Sequence, residues 1–196
     1  MLPGLVLLTT LVVLSLIYWY PARRRLRRWG ATDADLVRVM PGDAELADPA
    51  YQMTTAITIE APASAVWPWL MQMGYRRGGL YSLPQFQGLK AGDEIPLGHG
   101  PGFPVRIVDP CHALVLGGSA DGFTWTWQFG LYPLDGHRTE LLSRNRVRPP
   151  STMSARIGMW VLEPAAFIMT RRMLIGLKRR AERLTATPSD MAVRAA

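Results

Sequence analysis

The chain has 196 residues, 48% of them hydrophobic, with 22 basic against 15 acidic side chains and a formal net charge of +7. That length allows one domain of about 140 residues with extensions, enough to bury a core of its own. The lone Cys111 excludes an internal disulfide and fits a reducing compartment.

Residues 2–20, LPGLVLLTTLVVLSLIYWY, carry no charge and include eleven Leu, Val and Ile residues. As a helix rising about 1.5 Å per residue they would reach roughly 28 Å, close to the hydrocarbon thickness of a bilayer. Tyr18, Trp19 and Tyr20 form an aromatic belt, and Arg23, Arg24, Arg25, Arg27 and Arg28 follow at once. The pattern predicts a transmembrane helix over 1–22 in a single-pass protein of the cell membrane, and the positive-inside rule directs the rest of the chain to the cytoplasm. A cleaved signal peptide fits less well: the positive charges lie on the wrong side of the apolar run and no small-x-small site follows it.

Residues 23–50 read as a basic juxtamembrane segment and a linker. Thr32 or Asp33 caps a short helix through Val39, and Pro41-Gly42-Asp43 ends it. The acids Asp33, Asp35, Asp43, Glu45 and Asp48 lack the glycine and spacing of a calcium loop, and read as a solvated acidic segment.

The folded domain is expected over 51–186. Thr55, Ile57 and Ile59 alternate with Thr54, Ala56, Thr58 and Glu60, the period of a half-buried strand. Pro62 then enters a helix whose Val66, Trp67, Leu70 and Met71 share a face, and Gly74 stops it. Short strands follow over 93–97, 103–108 and 113–116. Gly98-His99-Gly100-Pro101-Gly102 reads as a hairpin connection, because it has neither the spacing nor the lysine of a phosphate-binding loop. Asp109-Pro110 and Gly117-Gly118 supply turns.

Residues 123–132 give the clearest strand, with Phe123, Trp125, Trp127, Phe129 and Leu131 on one face. Asp135-Gly136 turns into a partner strand over 137–147. There Leu142, Arg144 and Arg146 share one side, while Leu141, Ser143, Asn145 and Val147 share the other. Inward arginines would present planar donor forks to a carboxylate or phosphate headgroup; outward ones would be a solvated face. From Met153 the pattern is helical, with a start signal at Glu163-Pro164. Phe167, Thr170, Met173, Leu174, Leu177, Ala181 and Leu184 lie within one broad face. Residues 187–196 read as a disordered tail.

Several of these stretches carry a resemblance. Val66-Trp67-Pro68-Trp69-Leu70, Gln72-Met73-Gly74 and Arg77-Gly78-Gly79-Leu80-Tyr81-Ser82 open it. Gly92-Asp93, Val108-Asp109-Pro110, Thr124-Trp125, Glu163-Pro164 and Arg172-Met173-Leu174 continue it in order. The series resembles a branch of the START-like, polyketide-cyclase-like superfamily often labelled SRPBCC. The resemblance implies an α+β helix-grip: a curved antiparallel sheet wrapped around a long C-terminal helix, with an apolar cavity between them. Members of that branch carry a further helical segment where Ser82 here runs directly into Leu83-Pro84, so a wall of the cavity is expected to be short.

Catalytic signals are sparse. No Gly-x-Ser-x-Gly elbow, His-Glu-x-x-His pair, cysteine pair or dinucleotide fingerprint occurs, and His99, His112 and His137 are scattered, so no catalytic group, metal or cofactor is expected. Five basic residues sit beside the apolar run and six more lie in 171–183, which suits a membrane surface rather than nucleic acid. The expected function is binding or presentation of a hydrophobic small molecule or lipid without covalent chemistry. Trp67, Met71, Trp125, Trp127, Phe129, Met173 and Leu177 would form the apolar walls, with Tyr81, Arg144 and Arg146 as polar contacts. A cyclase or dehydratase on polyketide-like substrates and a cell-envelope scaffold with a filled core are the alternatives.

Overall fold

The computed structural model describes residues 2–72, 89–95 and 102–185. Tyr81, the Gly74 helix stop, the junction after Ser82, residues 98–101 of the glycine-rich connection and the tail from residue 186 lie outside the described residues. Among the described residues six strands, β1 Tyr51–Ile59, β2 Glu94–Ile95, β3 Phe103–Asp109, β4 Ala113–Ala120, β5 Phe123–Pro133 and β6 Thr139–Arg148, form one antiparallel sheet in the order β1-β6-β5-β4-β3-β2. Among the described residues the helices that accompany it are α1 Leu2–Arg27, α2 Asp33–Val37, α3 Ala63–Leu70 and α4 Met153–Thr185. The curved sheet with α4 laid along it is the α+β helix-grip.

The pleat assigns the two faces. β1 pairs with β6 as Tyr51↔Val147 through Ile59↔Thr139, and β6 pairs with β5 as Trp125↔Val147 and Phe129↔Ser143. Met53, Ile59, Leu114, Leu116, Trp127, Phe129, Leu131 and Leu141 therefore face α4, while Ala56, Gln128, Leu142, Arg144 and Arg146 face away. On the inner side Met173, Leu174, Leu177 and Ala181 of α4 and Val66, Leu70 and Met71 at α3 close one core with those strand residues. Pro62 is the N-cap of α3, and the helix also carries Pro68.

Two boundaries differ from the sequence expectation. Gly117 and Gly118 lie inside β4 and make no turn: a Cβ on Gly117 would stand 3.0 Å from the Trp125 carbonyl oxygen, a tight fit that favours glycine there. The turn is Asp121-Gly122, whose φ values of 50° and 76° match a two-residue hairpin of mirror-image type. The last helix starts ten residues before Glu163 and carries Pro164 inside it.

α1 spans 26 residues, and its apolar stretch is exposed. By length and composition it is able to cross a membrane. The segment between α1 and β1 is not a free linker. Thr32 caps α2 with its side chain on the Asp35 N–H, and Asp35 answers the Thr32 N–H at 2.8 Å, a capping box. A 3₁₀ turn, Pro41–Leu46, continues the segment, and Met40 packs on Ala56 and Leu142. Gly30, at φ 72°, lets the chain approach so closely that a Cβ would stand 2.0 Å from the Ala56 carbonyl oxygen, and Ala56 N–H donates to Trp29 O at 3.0 Å. The result is a cover over the outer face of the sheet.

Candidate functional site

The strand with the strongest alternation supplies a row of rings along the inner face. Trp125 stands edge-on to Phe103 at 4.5 Å between centroids, Phe103 lies 6.2 Å from Trp127, and Trp127 lies 5.1 Å from Phe129. Exposure is graded along the row: Trp125 and Phe103 are half-buried, Trp127 is 4% exposed and Phe129 is sealed. The row opens toward the end of the sheet where β1 begins and β6 ends, because Trp125, Val147 and Tyr51 are register partners. Three polar side chains on this face are paired within the sheet and its flanks. Trp127 Nε1–H donates to Ser143 Oγ at 2.9 Å, Thr55 Oγ1 to Ser143 O, and Thr139 Oγ1 to Ala61 O.

Of the expected wall residues, Met71, Trp127, Phe129, Met173 and Leu177 meet in this one buried cluster, with Trp67 and Trp125 half-buried at its edge. Arg144 and Arg146 do not join them, nor do they form a solvated face. Both lie on the opposite side of the sheet, under the cover. Arg144 is 1% exposed and uses its whole fork: Nε–H donates to Thr54 Oγ1, Nη1 to Arg38 O and to the Asp43 carboxylate at 2.6 Å, and Nη2 to Asp35 O at 2.7 Å. Arg146 donates to Gln52 Oε1 and to the carbonyls of Asp43 and Leu46, and Arg148 donates to Asp48 O. Alternate residues of β6 thus hold successive carbonyls of the 35–48 segment.

The acids read as solvated include two that are not. Asp35 is 1% exposed and Asp43 bridges Arg144 and Arg146. Burial pushes the Asp35 carboxyl up, but the Thr32 hydroxyl and N–H, with Arg38 beyond them, outweigh it and hold the carboxyl below the usual range. Desolvation likewise draws Arg146 below its ordinary value, against the pull of Asp43. Among the described residues no cluster of His, Cys, Asp or Glu could hold a metal ion.

A second polar centre joins α1 to α4. The Glu163 carboxylate, with no exposed side-chain surface, accepts from Arg23 Nε at 2.6 Å and from Arg27 Nε at 2.7 Å. The Arg27 guanidinium also covers the Tyr51 ring at 4.5 Å, and Arg23 stacks on Trp160 at 5.5 Å. Burial, reinforced by Glu163, pushes the Tyr51 phenol up to about 12 despite Arg27 and Arg23, and its hydroxyl has no hydrogen-bond partner. The sequence did hold a signal for this junction: Glu163 is the only charge in residues 157–170, an otherwise apolar run.

Comparisons with solved structures return matches at low identity. A polyketide-cyclase-like protein of Corynebacterium glutamicum is 13% identical, with 65% of this chain and 89% of that one covered and a TM-score of 0.45. An aromatase/cyclase of a Streptomyces species is 15% identical over 66% and 94% of the two chains, at 0.44, and a Thermobifida fusca protein is 19% identical over 68% and 94%, at 0.47. The helix-grip assignment stands on the strand order and the gripped helix themselves. No family model matches the chain, and no curated protein matches it.

Proposed function

We propose that this protein is a membrane-anchored helix-grip domain that takes up a hydrophobic small molecule or lipid between the inner sheet face and α4, without covalent chemistry. The observation that carries this reading is the graded aromatic row, half-open at Trp125 and Phe103 and closed at Phe129. Large flat rings offer apolar contact with little rotamer entropy to lose, which suits an adaptable apolar site. α1 serves as the anchor and its arginines as the cytoplasmic flank. The cyclase alternative needs an acid or base beside the ligand. Among the described residues the titratable groups on the inner side are Tyr51 and Glu163, and Arg23 and Arg27 hold Glu163 as a structural ion.

The burial of Phe129, Met173 and Leu177, each at most 1% exposed, favours a second reading, a scaffold whose core is filled. One experiment separates the two. The full chain is extracted in a mild detergent and its bound small molecules are identified by native mass spectrometry, alongside Trp125→Ala. Retention of an apolar compound by the parent chain and its loss from the variant supports the binding reading. An empty protein that also fails to bind apolar dyes leaves the scaffold.

A further inference from the structure

Resting on the reading of α1 as a membrane span, we infer that the first half of α4 docks its exposed apolar side on the bilayer, beside the point where α1 leaves it. The first buried residue of this 33-residue helix is Glu163, and ahead of it Met159 packs on the Tyr51, Met53 and Phe167 cluster, which leaves the opposite side of Met153 to Leu162 uncovered. Met153, Ile157, Val161 and Ile168 lie at spacings of four, four and seven, one stripe of the helix, and are 68%, 56%, 67% and 50% exposed. Trp160, Leu162 and Met169 widen it. An unpartnered surface of this extent marks a contact site.

Three observations name a lipid surface as the occupant. Residues 157–170 contain one charge, Glu163, and that charge is turned inward and matched by Arg23 and Arg27, so nothing charged remains on the apolar side. Those two arginines belong to the last turns of α1, which fixes the end of the span against α4 at this stripe. Trp160 lies beneath the Arg23 guanidinium, an aromatic and a cation stacked at the level where headgroups begin, and Arg156, Arg171 and Arg172 border the stripe with charge suited to anionic lipid. The open end of the aromatic row, at Trp125 and Val147, then sits at the bilayer. The opposite end, where Lys178 Nζ donates to Thr58 O at 2.6 Å, points into solution.

The test is site-specific quenching on the full chain. In a Cys111→Ser background, single cysteines replace Ile157, Val161, Leu11 and His137, each carries an environment-sensitive dye, and the protein is reconstituted into phosphatidylcholine–phosphatidylglycerol vesicles containing nitroxide lipid. Dyes at 157 and 161 are expected to shift blue and lose about half their emission or more, as at Leu11, while the dye at 137 on the distal hairpin keeps its own. Quenching at 11 with none at 157 and 161, or at only one of them, overturns docking and leaves the anchor standing. Quenching at 157 and 161 without 11 keeps docking and removes the span. Quenching at none of the three removes both.

Discussion

Arg144 shows how far one side chain can commit a structure. Its five donors serve a threonine, a carboxylate and three backbone carbonyls, so Arg144→Met leaves Asp43 with Arg146 as its remaining cation, strips the carbonyls of Asp35, Leu36 and Arg38 of their donor and opens the cover. The expected loss is about 3–5 kcal/mol, read as the denaturation midpoint of the full chain in detergent; a loss below about 1 kcal/mol would mean the cover is dispensable. Arg144→Lys should recover only part of it, since an ammonium cannot reproduce the planar fork. Tyr51 predicts the reverse sign. Its hydroxyl is buried without a partner, so Tyr51→Phe should leave stability unchanged or raise it by up to about 1 kcal/mol. The variant should also lack the last tyrosine step, near pH 12, in a spectrophotometric titration of the parent. Glu140 allows a signed pH test. Burial and the neighbouring Asp35 carboxylate raise its folded-state pKa above 4.5, so it stabilises the fold when protonated and loses that contribution as pH rises through the folded value. Glu140→Gln should therefore melt higher than the parent at neutral pH, with the difference closing below about pH 4. A constant difference across pH would contradict the assignment.

At the scale of elements, the junction between α1 and α4 makes the two interdependent. A chain starting at residue 28 leaves Glu163 buried without Arg23 and Arg27 but keeps Trp29, whereas one starting at residue 22 keeps the pair. The shorter form should be about 3–5 kcal/mol less stable by chemical denaturation, and Glu163→Ala in the longer form should erase most of that difference. If both truncations unfold together, the ion pair contributes nothing to the domain. The strands that frame this junction were legible because the alternation of Phe123 to Leu131 and of Thr55 to Ile59 admits only one pleat. The cover was not legible, and the reason is chemical. Four of its links to β6 end on the carbonyls of Asp35, Arg38, Asp43 and Leu46, groups every residue possesses, so no side-chain pattern announces them. Arg144 and Arg146 were conspicuous in the sequence, but alternation only places them on a common face and does not say what covers that face.

Over the whole molecule the features fall along one axis. The exposed apolar helix, its arginines, the Glu163 junction and the open end of the aromatic row gather at one end, and the hairpin between β5 and β6 caps the other. The aromatic wall and the gripped helix were readable as separate amphipathic patterns; their common orientation follows only from strand register, which joins Tyr51, Val147 and Trp125 in one row. The strand order has a kinetic corollary. Among the described residues β1 is an edge strand paired with β6, and the three arginines that hold the cover's carbonyls are also on β6. Segments made first must therefore wait for the strand made last, and the ring of contacts between them carries a large loop-closure entropy. Synthesis and assembly thus run in opposite directions: until β6 has emerged from the ribosome, the early strand lacks its paired neighbour and the cover lacks its arginines.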